Sequence, residues 1–345
     1  MALASGSGQG PPPQVVCFGE ALVDRLDPPD GDRLGGAPAN GACALARLGT
    51  PSALVCRLGW DAIGERFAQL LAARGVNTTG LQWDPLRPSR IVRVQRDSQG
   101  ERQFGGFAGD RGEGFADQAV DGEALAGVID PLLAQAQWLL VGTIPLASPA
   151  SAQALALLVQ KAAARGVALA VDVNWRPTFW DPAASPASGP SAAAIARMRP
   201  LLEQATLLKC AAEEAHWLFG SADPERIAAA LPQRPMVLVS DGAQPLRWCW
   251  GAITGSQRPF GIEVIDSTGA GDALMAGVLH RLCQLPPLGA ASAPAPAPAP
   301  VSEAEIQALM RFASACGALV CTGAGAIDPQ PSEAEVLAFL RNQAA

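Results

Sequence analysis

The sequence holds no CxxC pair, only two histidines (His216 and His280), and no Gly-Lys dipeptide. The first two absences argue against a zinc cluster. The third excludes the GxxxxGK[ST] phosphate loop. No run of Lys or Arg exceeds two residues and the formal net charge is −7, so neither nucleic acid nor an acidic membrane surface is an expected partner. No window approaches ~18 uninterrupted apolar residues, so no membrane span is expected. Residues 1–13, MALASGSGQGPPP, have no basic start and no apolar centre, and do not read as a signal peptide. These absences lead to the expectation of a soluble, cytoplasmic protein. Its eight scattered cysteines read as buried free thiols of a reducing compartment.

What is present is a chain of 345 residues, 49% hydrophobic, enough for one large α/β domain or two smaller ones. Three stretches are of low complexity: the head 1–13, "DPAASPASGPS" at 181–191 and "PPLGAASAPAPAPAP" at 286–300. Alternating Ala-Pro favours extended geometry and builds no core. The last stretch therefore reads as a surface insertion between two helices.

Elsewhere short apolar runs alternate with amphipathic ones. Strands are expected at 15–19, 53–59, 138–142, 168–174 and 236–240. Helices are expected at 38–48, 62–74, 121–135, 150–164, 191–204, 212–219, 270–284, 303–317 and 333–342. Continuously apolar strands between such helices imply a mostly parallel sheet covered on both faces. Two segments break the rhythm. "SRIVRVQRDSQGERQFGGF" (89–107) alternates around a turn-like Asp97-Ser98-Gln99-Gly100 and reads as a β-hairpin. "DRLDPPDGDRLGG" (24–36) is irregular and turn-rich.

The stretch richest in chemistry is "IDSTGAGDALMAG", residues 265–277. A GxGxxG reading of 269–274 fails, because Leu274 stands in the last place. Gly269 and Gly271 leave bare backbone where an apolar helix begins. The first N–H groups of a helix lack internal partners and carry the positive end of its dipole, so an anion suits that mouth. Asp272 in the first turn is either a dipole-stabilising Asp or a general base beside the anion.

"DSTGAGD" resembles the C-terminal signature of the PfkB, ribokinase-like, carbohydrate kinases, usually written DTTGAGD. "GGAPANGACALARLG" (35–49) resembles that family's N-terminal sugar-binding signature. The resemblance covers about residues 14–342. It implies a ribokinase-like three-layer α/β/α sandwich with a mostly parallel central sheet and a small β lid. The lid would comprise about 24–36 and 89–107 within a kinase domain at 14–345, after a disordered head at 1–13. It implies ATP-dependent phosphorylation of a sugar primary hydroxyl, with fructokinase the leading member.

The resemblance also implies roles. Asp272 would be the catalytic base, and the Gly269-Ala270-Gly271 backbone the anion hole for the transferred phosphoryl group. Asp24, Gly35, Gly36 and Asn40 would meet the sugar. "DVNWRPTFW" (172–180) is similar to a DxNxRxxLW segment of fructokinase-like members, with Phe179 for Leu. Asn174 and Arg176 would face the cleft. "LLKCAAEEAHWLFG" (207–220) carries half of an NxxE motif linked to a Mg²⁺-bound water. Glu214 takes the Glu position, with Glu213 as the alternative, and Ala211 stands where Asn would be. Gly242, Gly323 and Gly325 would lie near the nucleotide. A K⁺ ion, conditional on carbonyl ligation, would fall at Asp266, Thr268 and Gly325. The implied partners are a small sugar, ATP with Mg²⁺, and a second copy of the chain dimerising through the lid.

The close alternative is a 2-keto-3-deoxygluconate kinase. It would need an extra cation for an acid sugar, and Arg90, Arg93 and Arg102 are the candidates. Other sugar or nucleoside kinases of the family rank lower. A non-catalytic sugar or nucleotide sensor on the same fold is the reading from another class. A nicotinamide oxidoreductase would need a glycine motif after the first strand, where only Gly19 stands.

Overall fold

The computed structural model describes residues 11–26, 31–96, 102–285 and 302–343. Residues 1–10 of the head, the turn expected at Asp97-Ser98-Gln99-Gly100 and the Pro/Ala-rich stretch 286–300 lie outside the described residues.

Thirteen strands are described: β1 (Val15–Phe18), β2 (Leu22–Leu26), β3 (Gly31–Gly35), β4 (Ser52–Gly59), β5 (Leu81–Asp84), β6 (Arg90–Arg96), β7 (Arg102–Ala108), β8 (Trp138–Val141), β9 (Ala168–Asp172), β10 (Leu207–Ala211), β11 (Met236–Ser240), β12 (Leu246–Trp250) and β13 (Ile253–Gln257). Nine form one sheet in the order β13-β12-β11-β10-β9-β8-β1-β4-β5. It is parallel from β5 to β11, and β12 and β13 add an antiparallel edge.

Burial explains why the central strands read as unbroken apolar runs. Every residue of β1 and of β8 is buried. Val15 and Cys17 face one core layer, whereas Val16 and Phe18 face the other. The first layer is completed by the helices Ala37–Leu48, Ala270–Cys283 and Glu303–Cys321, the second by Pro149–Ala163, Ala192–Leu202 and Pro224–Ala229. Each large side chain buried this way contributes about 1.5–3 kcal/mol. Glu303–Cys321 is the one described helix long and apolar enough to cross a membrane. Its Ile306, Met310, Phe312, Ala313, Cys316 and Val320 are buried, which makes it a core helix. All eight cysteines are free thiols, six of them buried.

A second sheet of four strands has the order β3-β2-β6-β7. The hairpin read at 89–107 is present as β6 and β7. The segment read as irregular at 24–36 instead holds β2 and β3 as an antiparallel pair. The helix expected over 121–135 is two short helices, Gly122–Ala126 and Ile129–Leu133. Gly127 ends the first, and glycine disfavours a continuous helix through that point.

Candidate active site

Consecutive strands β1 and β4 run toward one side of the sheet, and β8 returns to pair on the other side of β1. That reversal opens a crevice at the carboxyl ends of the strands, where α/β sheets bind ligands. A cleft of about 550 Å³ lies there. Glu20 follows β1, Asn174 and Arg176 follow β9, Ala211 ends β10 and Glu214 follows it; all five line it. The small sheet closes one wall with Leu22, Asp24, Val92, Val94 and Phe104.

The floor is the start of the helix Ala270–Cys283. Gly269 is its N-cap at φ 80°, and no side chain caps its first N–H groups. A Cβ on Gly269 would stand 2.6 Å from the Ala326 Cβ, so glycine serves here both the left-handed turn and the close packing. A Cβ on Gly271 would stand 3.0 Å from the Lys209 ammonium nitrogen.

Asp272 enters in the first helical turn. Asn40, on the helix Ala37–Leu48, donates its Nδ2 to Asp272 Oδ2 at 2.7 Å. Burial, then the neighbouring Asp172 carboxylate, pushes the Asp272 carboxyl up to about 6. The Asn40 hydrogen bond and the Lys209 and Arg176 charges pull it the other way.

Lys209 and Asp172 are cleft residues that motif reading passed over. They sit directly opposite each other on β10 and β9, and Lys209 Nζ contacts Asp172 Oδ1 at 2.9 Å and Oδ2 at 2.7 Å. Both are buried. Burial alone would lower the lysine's pKa, but the charge and hydrogen bond of Asp172 outweigh it and hold it above the ordinary value. The signal was present: Lys209 is one of only two lysines in the chain and interrupts the apolar strand LLKCA.

Glu214, not Glu213, faces inward. Its Oε1 accepts the Trp175 N–H at 2.6 Å and its Oε2 accepts the Ala211 N–H at 2.7 Å. Burial, then the Asp172 charge, holds its carboxyl above the usual range. Asn174 has φ 43°, a left-handed geometry uncommon outside glycine and one that marks functional turns.

The cleft thus brings together Asp24, Gly36, Asn40, Asn174, Arg176, Glu214, Thr268, Gly269, Gly271 and Asp272. Gly35 stands just behind the wall, where a Cβ would lie 3.6 Å from Asp24 Oδ2. Ala270, Asp266, Gly242, Gly323 and Gly325 are not on the cleft wall. Asp266 organises the loop beside it. Its Oδ1 accepts the Thr268 N–H and hydroxyl, and its Oδ2 accepts the Gly325 N–H at 2.8 Å and contacts Arg33 of β3 at 3.3 Å. Gly323 packs against Pro329, and Gly242 sits in the turn after β11.

An open helix mouth, a buffered carboxylate and a strand-end crevice meet in one enclosure, and they fall on the two segments that carried the sequence resemblance. The chain matches the model of the pfkB family carbohydrate kinases over residues 13–333, and it belongs to that family. It is therefore a sugar kinase with the ribokinase-like α/β/α fold. Among curated relatives it is 29% identical to "Probable fructokinase-6, chloroplastic" of Arabidopsis thaliana, over 97% of this chain and 84% of that one. Among solved structures it resembles the fructokinase of Xylella fastidiosa with bound ATP, at TM-score 0.79 and 28% identity, covering 96% of this chain and 99% of that one. It also resembles the fructokinase of Vibrio cholerae O395 in its fructose-, ADP- and calcium-bound form, at TM-score 0.76 and 28% identity, over 95% and 99% of the two chains.

Proposed function

We propose that this chain transfers the γ-phosphoryl group of ATP to a primary hydroxyl of a neutral sugar, with fructose the foremost acceptor. The observation that carries the reading is the Asp272 carboxylate, held by Asn40 at an uncapped helix N-terminus inside the cleft. Asp272 takes the hydroxyl proton as the oxygen attacks the γ-phosphorus in line. The new O–P bond forms as the bond to the β-phosphate oxygen breaks, and ADP leaves. N–H groups of Gly269 and Gly271, both on the cleft wall, face the charge that develops on the phosphoryl oxygens, whereas that of Ala270 is taken up by the Ser267 carbonyl. Arg176, exposed at the cleft mouth, adds positive charge, and Lys209, held by Asp172, places its ammonium beneath Gly271.

Asp24 and Asn174 are assigned to sugar hydroxyls, since a carboxylate accepts from two at once. Gly242, Gly323 and Gly325, lying away from the sugar cleft, are assigned to the nucleotide side. A Mg²⁺ ion entering with ATP would supply positive charge at the phosphates, with Glu214 the residue to hold one of its waters. No group of three or more His, Cys, Asp or Glu among the described residues could cage a metal, which suits an ion held by ATP and water with Glu214 orienting one water. At Asp266 the carboxylate is already engaged by Thr268, Gly325 and Arg33, so a K⁺ ion there would rest on backbone carbonyls. The small sheet is assigned as a lid over the sugar, and its outer face as the surface for a second copy of the chain.

The neutral sugar is favoured over an acid sugar by Arg90. Its guanidinium is buried and bidentate on Asp117, at 2.8 and 2.9 Å, among the rings of Phe107, Phe115 and Phe179. It has no charge to spare for a substrate carboxylate. Arg93 is exposed and off the cleft wall, and the Arg102 side chain lies outside the described residues. The test is ATP consumption with fructose, 2-keto-3-deoxygluconate, ribose and adenosine, each with and without K⁺. Fructose should give the highest kcat/KM. Preference for the acid sugar would overturn this reading.

A further inference from the structure

We propose that Glu20 is a further sugar-binding residue of this cleft, acting as a neutral carboxylic acid that donates its O–H to a hydroxyl oxygen of the acceptor. The inference rests on the sugar-kinase reading of the cleft and adds a specificity residue to it.

Glu20 lies two residues past the end of β1, at the strand reversal, and it lines the cleft with Asp24 and Asp272. It is 2% exposed. Its Oε1 accepts the Ala37 N–H at 3.3 Å, whereas its Oε2 is buried with no hydrogen-bond partner. A buried oxygen left without a partner is costly, and such an atom on the wall of a binding cleft marks a contact completed by ligand. Its position is fixed by backbone: a Cβ on Gly36 would stand 2.6 Å from the Glu20 carbonyl oxygen.

The surrounding chemistry selects the neutral form. Asp272, Asp117 and Cys56 all act electrostatically on Glu20 or are acted on by it. Burial keeps the Cys56 thiol protonated. The nearby cation, Arg90, is committed to Asp117. Burial, then the Asp117 and Asp272 charges, pushes the Glu20 carboxyl up to about 8, against two opposing backbone hydrogen bonds. With Oε1 accepting from Ala37, the acid proton belongs on Oε2. A sugar hydroxyl has one hydrogen to donate and an oxygen that accepts. Asp24 and Asp272, when ionised, only accept, and the Asn40 amide is engaged with Asp272. A protonated Glu20 adds a donor beside these two acceptors.

The test uses the full chain with Glu20→Gln and Glu20→Leu, measuring sugar KM, ATP KM, kcat and melting temperature from pH 6 to 9.5. Glu20→Gln keeps a donor and should hold kcat/KM for the sugar within about 5-fold of wild type. Glu20→Leu should raise sugar KM by about 10–100-fold and leave ATP KM unchanged. Wild type should lose kcat/KM for the sugar above about pH 8 as Glu20 ionises, and Glu20→Gln should lack that limb. A Glu20→Leu enzyme with wild-type sugar KM overturns the proposal. So does a Glu20→Gln enzyme that keeps the alkaline limb, a comparison that stands even if Glu20→Leu fails to fold. Wild type that phosphorylates no sugar would remove the parent reading instead; active wild type with indifferent variants removes only the role of Glu20.

Discussion

Asn40 reaches across the cleft floor and donates its side-chain amide to Asp272 at 2.7 Å, joining the two motif segments over 232 residues of sequence. This bond favours the charged carboxylate and so opposes the burial and the Asp172 charge that raise its pKa. Replacing Asn40 by Ala should therefore raise the Asp272 pKa further. The acid limb of the pH profile of kcat/KM should move up by about one pH unit. An unmoved limb in this variant would separate Asp272 from the titration.

As the proposed base, Asp272 must be ionised in wild type. With its pKa raised to about 6, kcat/KM should fall tenfold per unit below that pH and level off above it.

The same shift carries a stability signature. Folding holds the Asp272 carboxyl above its ordinary value of 3.8, so the folded state disfavours the ionised form. The cost is full above about pH 6 and vanishes below the unfolded value. Asp272→Asn should thus melt roughly 2–4 °C higher than wild type at pH 8 and no differently near pH 3. Differential scanning calorimetry at both pH values reads this directly.

Lys209 and Asp172 form a buried pair, and removing one partner strands the other's charge. Lys209→Met should cost about 3–5 kcal/mol of stability. Lys209→Met with Asp172→Asn should recover most of that, while activity stays low because the ion pair beneath Gly271, both of whose partners line the cleft, is gone. Denaturant melts of both variants beside their kcat values check the split.

Gly269→Ala places a methyl group at φ 80° and 2.6 Å from the Ala326 Cβ. The strained backbone alone costs about 1–3 kcal/mol, and the packing clash adds to it. The helix mouth should tilt, lowering kcat more than it raises sugar KM, as steady-state kinetics would show.

Much of this architecture was legible in the sequence where one physical pattern dominates. The helices 212–219 and 333–342 and the strand 236–240 have the bounds that their periodicity and apolar runs indicate. The strands β2 and β3 were not, since LVDRL and GDRLG mix charge into short segments beside the sequence Pro-Pro-Asp-Gly. The antiparallel strands β12 and β13 lacked the continuous apolar character of the buried ones, for only one face of the edge strand β13 is partly covered. In the site, Asp272 and Asn40 stood out because each lies in a compact local motif. The pairing of Lys209 with Asp172 depends on the register of two strands 37 residues apart, which no local pattern encodes. Glu20 was passed over for a similar reason: its meaning comes from an unpartnered oxygen beside the cleft, a property of packing.

Asp272 is proposed to remove the proton from the sugar hydroxyl. The direct measurement is kcat for ATP-dependent fructose phosphorylation by wild type and by Asp272→Asn, with ATP binding measured calorimetrically on both. A loss of about 10²–10⁴-fold in kcat with ATP affinity unchanged is expected. Turnover by Asp272→Asn within a few-fold of wild type would contradict it.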